Sequence, residues 1–177
     1  MTELTGHLPF HQELLPPGEI MKTAKLLRII LIAAACQLPL SATAQKTALY
    51  ESINQRAAAD WETALKIWKW AEPGYQETKS AKLLAEVLAT ADFKIRQGVA
   101  DIPTAFTATY GQGKPVIAIL GEYDALPGLS QQAVPYRQKA TGNIYGQACG
   151  HHLFGVASAS AAIALAEQIK AGKISGT

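Results

Sequence analysis

Between residues 47 and 71 apolar side chains recur every three or four positions: Leu49, Ile53, Ala57, Trp61, Ala64, Leu65, Trp68 and Ala71. That period predicts a helix with one packed stripe, ended by Pro73-Gly74. Trp61, Trp68 and Trp70 read as packing residues rather than as a ligand cage, since the spacing already accounts for two of them. A second helix is predicted over 78–91, with Ala81, Leu84, Ala85 and Leu88 on one face and Thr78 or Ser80 at its start. The pattern then shortens. Residues 93–99 and 104–110 read as strands, and Gly111-Gln112-Gly113-Lys114 as a tight turn. Val116-Ile117-Ala118-Ile119-Leu120 is an unbroken apolar run closed by Gly121, which predicts a strand buried on both faces of an α/β sheet. Residues 129–147 are polar and carry Pro135, Gly142 and Gly146, as a long loop does. Residues 153–171 are rich in Ala and predict a helix that packs closely on a sheet.

Composition narrows the class. The chain has 177 residues, the size of about one domain, and at 49% hydrophobic and 17% charged it is globular rather than disordered. A net charge of +2 gives no reason to expect nucleic acid or an anionic membrane as partner. Two cysteines make no disulfide framework, and no apolar run reaches the roughly 18 residues of a spanning helix.

The N-terminus has its own pattern. Lys22, Lys25 and Arg28 precede the apolar stretch Ile29–Cys36, and the segment closes on Ala42-Thr43-Ala44. Basic, apolar and small-residue regions in that order mark a secretory signal over 21–44, and hence an exported, periplasmic protein. Lipidation at Cys36 is the second choice, because the usual leucine three residues earlier is missing. Residues 1–20 are expected to be an over-called extension, with Met21 as the true start, and 45–177 to be the folded part. Within 45–177 the only histidines are His151 and His152 and the only cysteine is Cys149.

Two segments carry candidate chemistry. Gly121-Glu122-Tyr123-Asp124 follows the apolar run, where ligands of open α/β sheets bind. In extended chain Glu122 and Asp124 point the same way and can face one centre, although a turn with solvated acids reads equally well. Cys149-Gly150-His151-His152 opens the last helix, and thiolate and imidazole are good ligands for zinc and related ions. A helix start also favours thiolate at Cys149. The alternative there is a free cysteine beside two helix-starting histidines. A catalytic zinc needs about three protein ligands and an open position, so Asp124 stands as a third ligand or an orienting group. No nucleophile elbow or phosphate-binding glycine loop is present.

The segments 72–88 (EPGYQETKSAKLLAEVL), 103–131 (PTAFTATYGQGKPVIAILGEYDALPGLSQ) and 146–155 (GQACGHHLFG) together resemble the N-terminal part of the metal-dependent aminoacylase/carboxypeptidase superfamily of amidohydrolases. The likeness is to the branch that holds the p-aminobenzoyl-glutamate hydrolases, and EYDALPG with ACGHH is its specific part. The resemblance implies an α/β three-layer sandwich, here the N-terminal part of a di-metal peptidase-like catalytic domain. It implies hydrolysis of the amide bond of an N-acyl or aryl-acyl amino acid, a small-molecule substrate, with two divalent ions, zinc or manganese. Cys149 and His151 fall on the family's metal-ligand positions and Asp124 on the catalytic acid that orients the centre. Glu122 and His152 are possible neighbours of that shell, His152 standing where relatives often carry Asn or Asp.

The resemblance also implies what these residues lack. The family's general-base glutamate, an adjacent metal-binding glutamate and two further histidines follow the CGH motif at a distance, and the lid or dimerisation domain lies beyond. This chain is therefore expected to hold at most a partial metal site, with a homodimer or a partner subunit in the complete protein. Two other readings remain: a truncated, non-catalytic metal-binding domain, and a metal-free module for small carboxylates.

Overall fold

A computed structural model of the chain describes the backbone of residues 17–177 and the side chains of residues 43–177. The leader at 21–44 and lipidation at Cys36 fall almost wholly on side chains outside that set, and the extension at 1–20 lies outside it up to residue 16. The chain divides into one unit up to Gln45 and a second from Lys46 to Thr177. In the first, the described backbone is the leading part of α1 (Pro17–Trp70).

The second unit contains the rest of α1, then α2 (Thr78–Thr90), β1 (Lys94–Gln97), β2 (Phe106–Thr109), β3 (Leu126–Pro127), β4 (Tyr145–Gly146) and α3 (His151–Lys170). Its core is where the three helices meet: Ala64 and Ile67 of α1, Leu84 and Leu88 of α2, and Val156, Ala159 and Ile163 of α3. Burying each of the larger aliphatic side chains is worth about 1.5–3 kcal/mol. Phe93, Ile95, Phe106 and Ala108 close the core from the β1–β2 hairpin, which pairs antiparallel from Lys94↔Thr109 to Gln97↔Phe106. Gly98 leaves the first strand at φ 68°, a left-handed turn that glycine adopts without strain.

Three expectations are corrected here. The packed stripe of α1 is rotated only in part from the predicted one: Ala64 and Ala71 are buried as expected and Ser52 and Ile67 are buried besides, but Ala57 is exposed and Trp61 is 56% exposed. Of the three tryptophans expected to pack, Trp70 does pack on the core. The reason is polar. Arg56 turns toward α3 and donates to Glu167 Oε1 (2.9 Å) and to the Ser160 carbonyl (2.8 Å), while the Ser52 hydroxyl also bonds Glu167. A helix face chosen partly by an arginine is invisible to a count of apolar positions.

The start of α2 is also capped from elsewhere. Neither Thr78 nor Ser80 caps it through its own hydroxyl. The Glu72 carboxylate reaches back instead, accepting from the backbone N–H of Lys79 (3.1 Å) and Ser80 (2.8 Å) and from the Ser80 hydroxyl (2.8 Å). An anion at a helix N-terminus serves its free N–H groups and its dipole together.

The third correction is the largest. Residues 116–120 form no strand, and Val116, Ile117, Ile119 and Leu120 are all exposed. Burial of an apolar strand comes from neighbours on both faces and both edges. Among the described residues the paired strands are two short antiparallel pieces, β1–β2 and β3–β4, and neither flanks this run. The chain thus mixes helices with small sheets, and its apolar run lies outside both.

Candidate metal centre

The end of the apolar run is nevertheless held in place. α3 comes so close that a Cβ on Gly155 would lie 2.5 Å from the Glu122 carbonyl oxygen, and one on Gly121 3.3 Å from Ser158 Cβ. The Ser158 hydroxyl donates to the Leu120 carbonyl at 2.6 Å. On the far side of the motif the Ala125 N–H donates to the Glu72 carbonyl at 2.7 Å, and Ala125 is buried. The Tyr123 hydroxyl bonds the Thr104 carbonyl, and the Thr104 hydroxyl bonds Glu77 at 2.7 Å. Burial, together with the charges of Glu77 and Asp124, pushes the Tyr123 phenol up to about 12.

Pinned at Leu120, Tyr123 and Ala125, the chain presents Glu122 and Asp124 on one side, as alternation along extended backbone requires. Both meet His151, the first residue of α3. Its Nδ1 is 2.8 Å from Asp124 Oδ1 and its Nε2 is 3.0 Å from Glu122 Oε2. The His151 side chain is 18% exposed, against 29% for Asp124 and 44% for Glu122. Gly150, at φ 82°, turns the chain into the helix here, so α3 begins two residues before the predicted start and His151 enters its first turn.

Two carboxylates on the two nitrogens of one imidazole ask for a cation. A neutral ring donates from one nitrogen only and leaves the second carboxylate against a lone pair. One ligand atom from each of Glu122, Asp124 and His151 lies within 4.8 Å of the others, a spacing that a divalent ion can bridge. Carboxylate oxygen and imidazole nitrogen form a donor set that suits zinc or manganese. These residues fit a metal.

The other predicted residues stand apart from this group. Cys149 is a free, exposed thiol and does not share the cluster of ligand atoms. His152 faces inward: its Nδ1 is buried with no hydrogen-bond partner, and burial, then the neighbouring His151, holds its imidazole below the usual value. Gln147, which the sequence did not single out, ties the two halves of the site together. Its amide donates to the Tyr123 carbonyl at 3.2 Å and its oxygen accepts from the His152 N–H at 3.1 Å. A buried glutamine in a polar loop leaves no periodic trace, so only the fold reveals it.

Comparison with known proteins adds a second line of observation. No family model matches the chain. It is 45% identical over 122 residues to one of the subunits of p-aminobenzoyl-glutamate hydrolase from Escherichia coli K12, covering 66% of this chain and 25% of that protein. It is 31% identical over 100 residues to thermostable carboxypeptidase 1 of Saccharolobus solfataricus, covering 54% of this chain and 25% of that protein. For thermostable carboxypeptidase 2 of the same organism the match is 32% over 96 residues, covering 52% and 24%. The chain spans about a quarter of the length of the curated relatives it matches.

Proposed function

We propose that this chain, a homologue of thermostable carboxypeptidases and of a p-aminobenzoyl-glutamate hydrolase subunit, is the N-terminal part of a metal-dependent amidohydrolase. Its substrate class is an N-acyl or aryl-acyl amino acid, of which p-aminobenzoyl-glutamate is the type. The observation that carries the reading is His151 set between Glu122 and Asp124. His151 and the two carboxylates hold the ion, with Cys149 as a further ligand. A divalent ion bound there supplies Lewis-acid polarisation of the amide carbonyl and lowers the pKa of water toward ~7.

The remaining work falls to the chain's own groups. Asp124 bonds the His151 ring at Nδ1 and so fixes the ring's orientation. Tyr123, bonded to Thr104, holds the backbone between the two carboxylates. The general base that moves a proton to the leaving nitrogen, a second set of ligands for two ions, the lid domain and the full three-layer sandwich belong to a longer polypeptide. A partner subunit or a second copy completes the assembly. Export to the periplasm by the 21–44 leader is part of the same proposal, and N-terminal sequencing of the exported protein reads it directly.

The test is metal content first and turnover second. Equilibrium dialysis with zinc or manganese is expected to load one ion per chain. Glu122→Gln, Asp124→Asn and His151→Ala should each weaken that loading about 10–100-fold. Cys149→Ala reports whether the thiol joins. Chains that take up no ion with all four residues intact would overturn the metal reading. The short span relative to the relatives favours one alternative, a metal-binding domain without catalysis. Loading without amide hydrolysis, in a native protein whose intact mass equals that of the mature chain, would select it.

A further inference from the structure

Residues 129–146, a long polar loop in the sequence, fold on themselves and close at a neck. A Cβ on Gly146 would lie 1.9 Å from the Leu129 carbonyl oxygen, so the two ends of the loop meet backbone to backbone where only glycine fits. Inside the loop the Gln131 amide donates to the carbonyls of Gln132 (2.9 Å) and Tyr136 (3.0 Å), and the Gln132 N–H donates to the Gln138 carbonyl at 2.8 Å. Asn143 ties the loop to the end of α1. Its amide donates to the Trp70 and Ala71 carbonyls, each at 3.4 Å, and its oxygen accepts from the Tyr145 N–H at 2.9 Å. The loop so held carries an open pocket of about 680 Å³ lined by residues 139–145, among them Lys139, Thr141, Ile144 and Tyr145.

The charge of this loop is one-sided. From Ala125 to Ala166 the chain carries no Asp or Glu, and its Lys and Arg in that span are Arg137 and Lys139. Both are exposed. Arg56, Lys82 and Lys170 have acidic partners, whereas among the described residues Arg137 and Lys139 have none. Beside Lys139 and the Thr141 hydroxyl the pocket has an apolar wall, since Ile144 is 55% exposed. It is also anchored to the metal centre. Tyr145 pairs with Pro127 and Gly146 with Leu126, just past Asp124, and Gln147 bonds the Tyr123 carbonyl. We propose that this loop is the subsite that selects an acidic amino-acid half of the substrate. Lys139 pairs with the side-chain carboxylate, Thr141 donates to it, Ile144 packs on the methylenes, and Arg137 adds to the attracting field. A glutamate side chain, two methylenes ending in a carboxylate, has that combination. A neutral side chain of the same shape leaves the ammonium group without its partner, and a basic one is repelled.

This rests on the amidohydrolase reading above, but its test needs neither metal nor turnover. Binding to the 177-residue chain is followed in EDTA by amide NMR shifts, with p-aminobenzoyl-glutamate and p-aminobenzoyl-glutamine as the probes. The two differ only in a side-chain carboxylate against an amide. The glutamate compound is expected to shift the amides of 139–145 and to bind at least about tenfold more tightly. Lys139→Met should cut that preference to within about twofold while leaving the β1–β2 amides in place, and Lys139→Arg should restore most of it. Ile144→Ser should weaken both compounds alike. Equal affinity for the two probes, shifts confined to 122–124 and 151, no saturable binding of either probe, or a preference that survives Lys139→Met would each overturn the proposal. So would inorganic phosphate displacing the glutamate compound as well as glutarate does at matched ionic strength, which would leave only a general anion site. Failed metal loading with the preference intact would sink the metal centre alone, and the reverse result would sink this subsite alone.

Discussion

Ile67 and Ile117 are the same side chain in opposite surroundings: the first is 0% exposed between three helices, the second 67% exposed on a bare run. Sequence alone would rank them the other way, because Ile117 lies in five consecutive apolar residues and Ile67 lies among Lys66, Trp68 and Lys69. The helical region closes on itself. Its contacts come from elements near in sequence or able to fold back as units, and each helix needs one partner face only. The 116–120 region needs partners on two faces and two edges, and among the described residues it has α3 at one end and the backbone of Thr177 at the other. An apolar residue reports that burial is possible; only the neighbours decide whether it happens.

The comparison predicts very unequal mutational costs. Ile67→Ala empties a filled site and should destabilise the folded unit by about 2–5 kcal/mol. Ile117→Ala in the same chain should move stability by less than about 0.5 kcal/mol, as surface changes do. Urea unfolding of both variants measures this, and a comparable loss at Ile117 would mean the run is already covered in solution.

A smaller effect is expected where the two regions touch. Gly155→Ala drives a methyl into the Glu122 carbonyl and should cost about 1–3 kcal/mol, since backbone must move to make room. The shift falls on the residue that faces His151, so metal loading should fall with it. Gly155→Ala that unfolds at the wild-type midpoint and loads metal normally would show that α3 and the 120–122 segment do not need this approach.

The smallest effect is a pH signature at Tyr123, which bridges the regions through Thr104. Its phenol is held up to about 12 against an ordinary value of 10.0, so the unfolded chain loses its proton first. The contribution of Tyr123 is therefore intact below pH ~10 and is lost as pH rises from ~10 toward ~12. Tyr123→Phe should remove that part of the alkaline decline while leaving the decline due to other groups. Superimposable thermal melts of the two proteins across pH 9–12, apart from a constant offset, would contradict the burial of this hydroxyl.

Much of the molecule was legible in one dimension. The C-terminal end of α1, the span of α2, the hairpin and the Ala-rich last helix follow from periodicity and from Pro73-Gly74, because each is stabilised by hydrogen bonds within itself or with a close neighbour. The pairing of Glu122 with Asp124 follows from alternation along extended chain, and the His151 cluster from where the chain concentrates its histidine and cysteine. What required the tertiary structure were the interactions whose partners lie far along the chain. They are the Arg56–Glu167 contact that rotates the buried face of α1, the Glu72 cap on α2, and the Gln147 clamp across the site. The exposure of 116–120 belongs with them. Local pattern determines which elements form, since it encodes each element's own hydrogen bonding and amphipathic face. It does not determine which face finds a partner, because that depends on long-range packing and on the few polar groups that must be satisfied once water is gone.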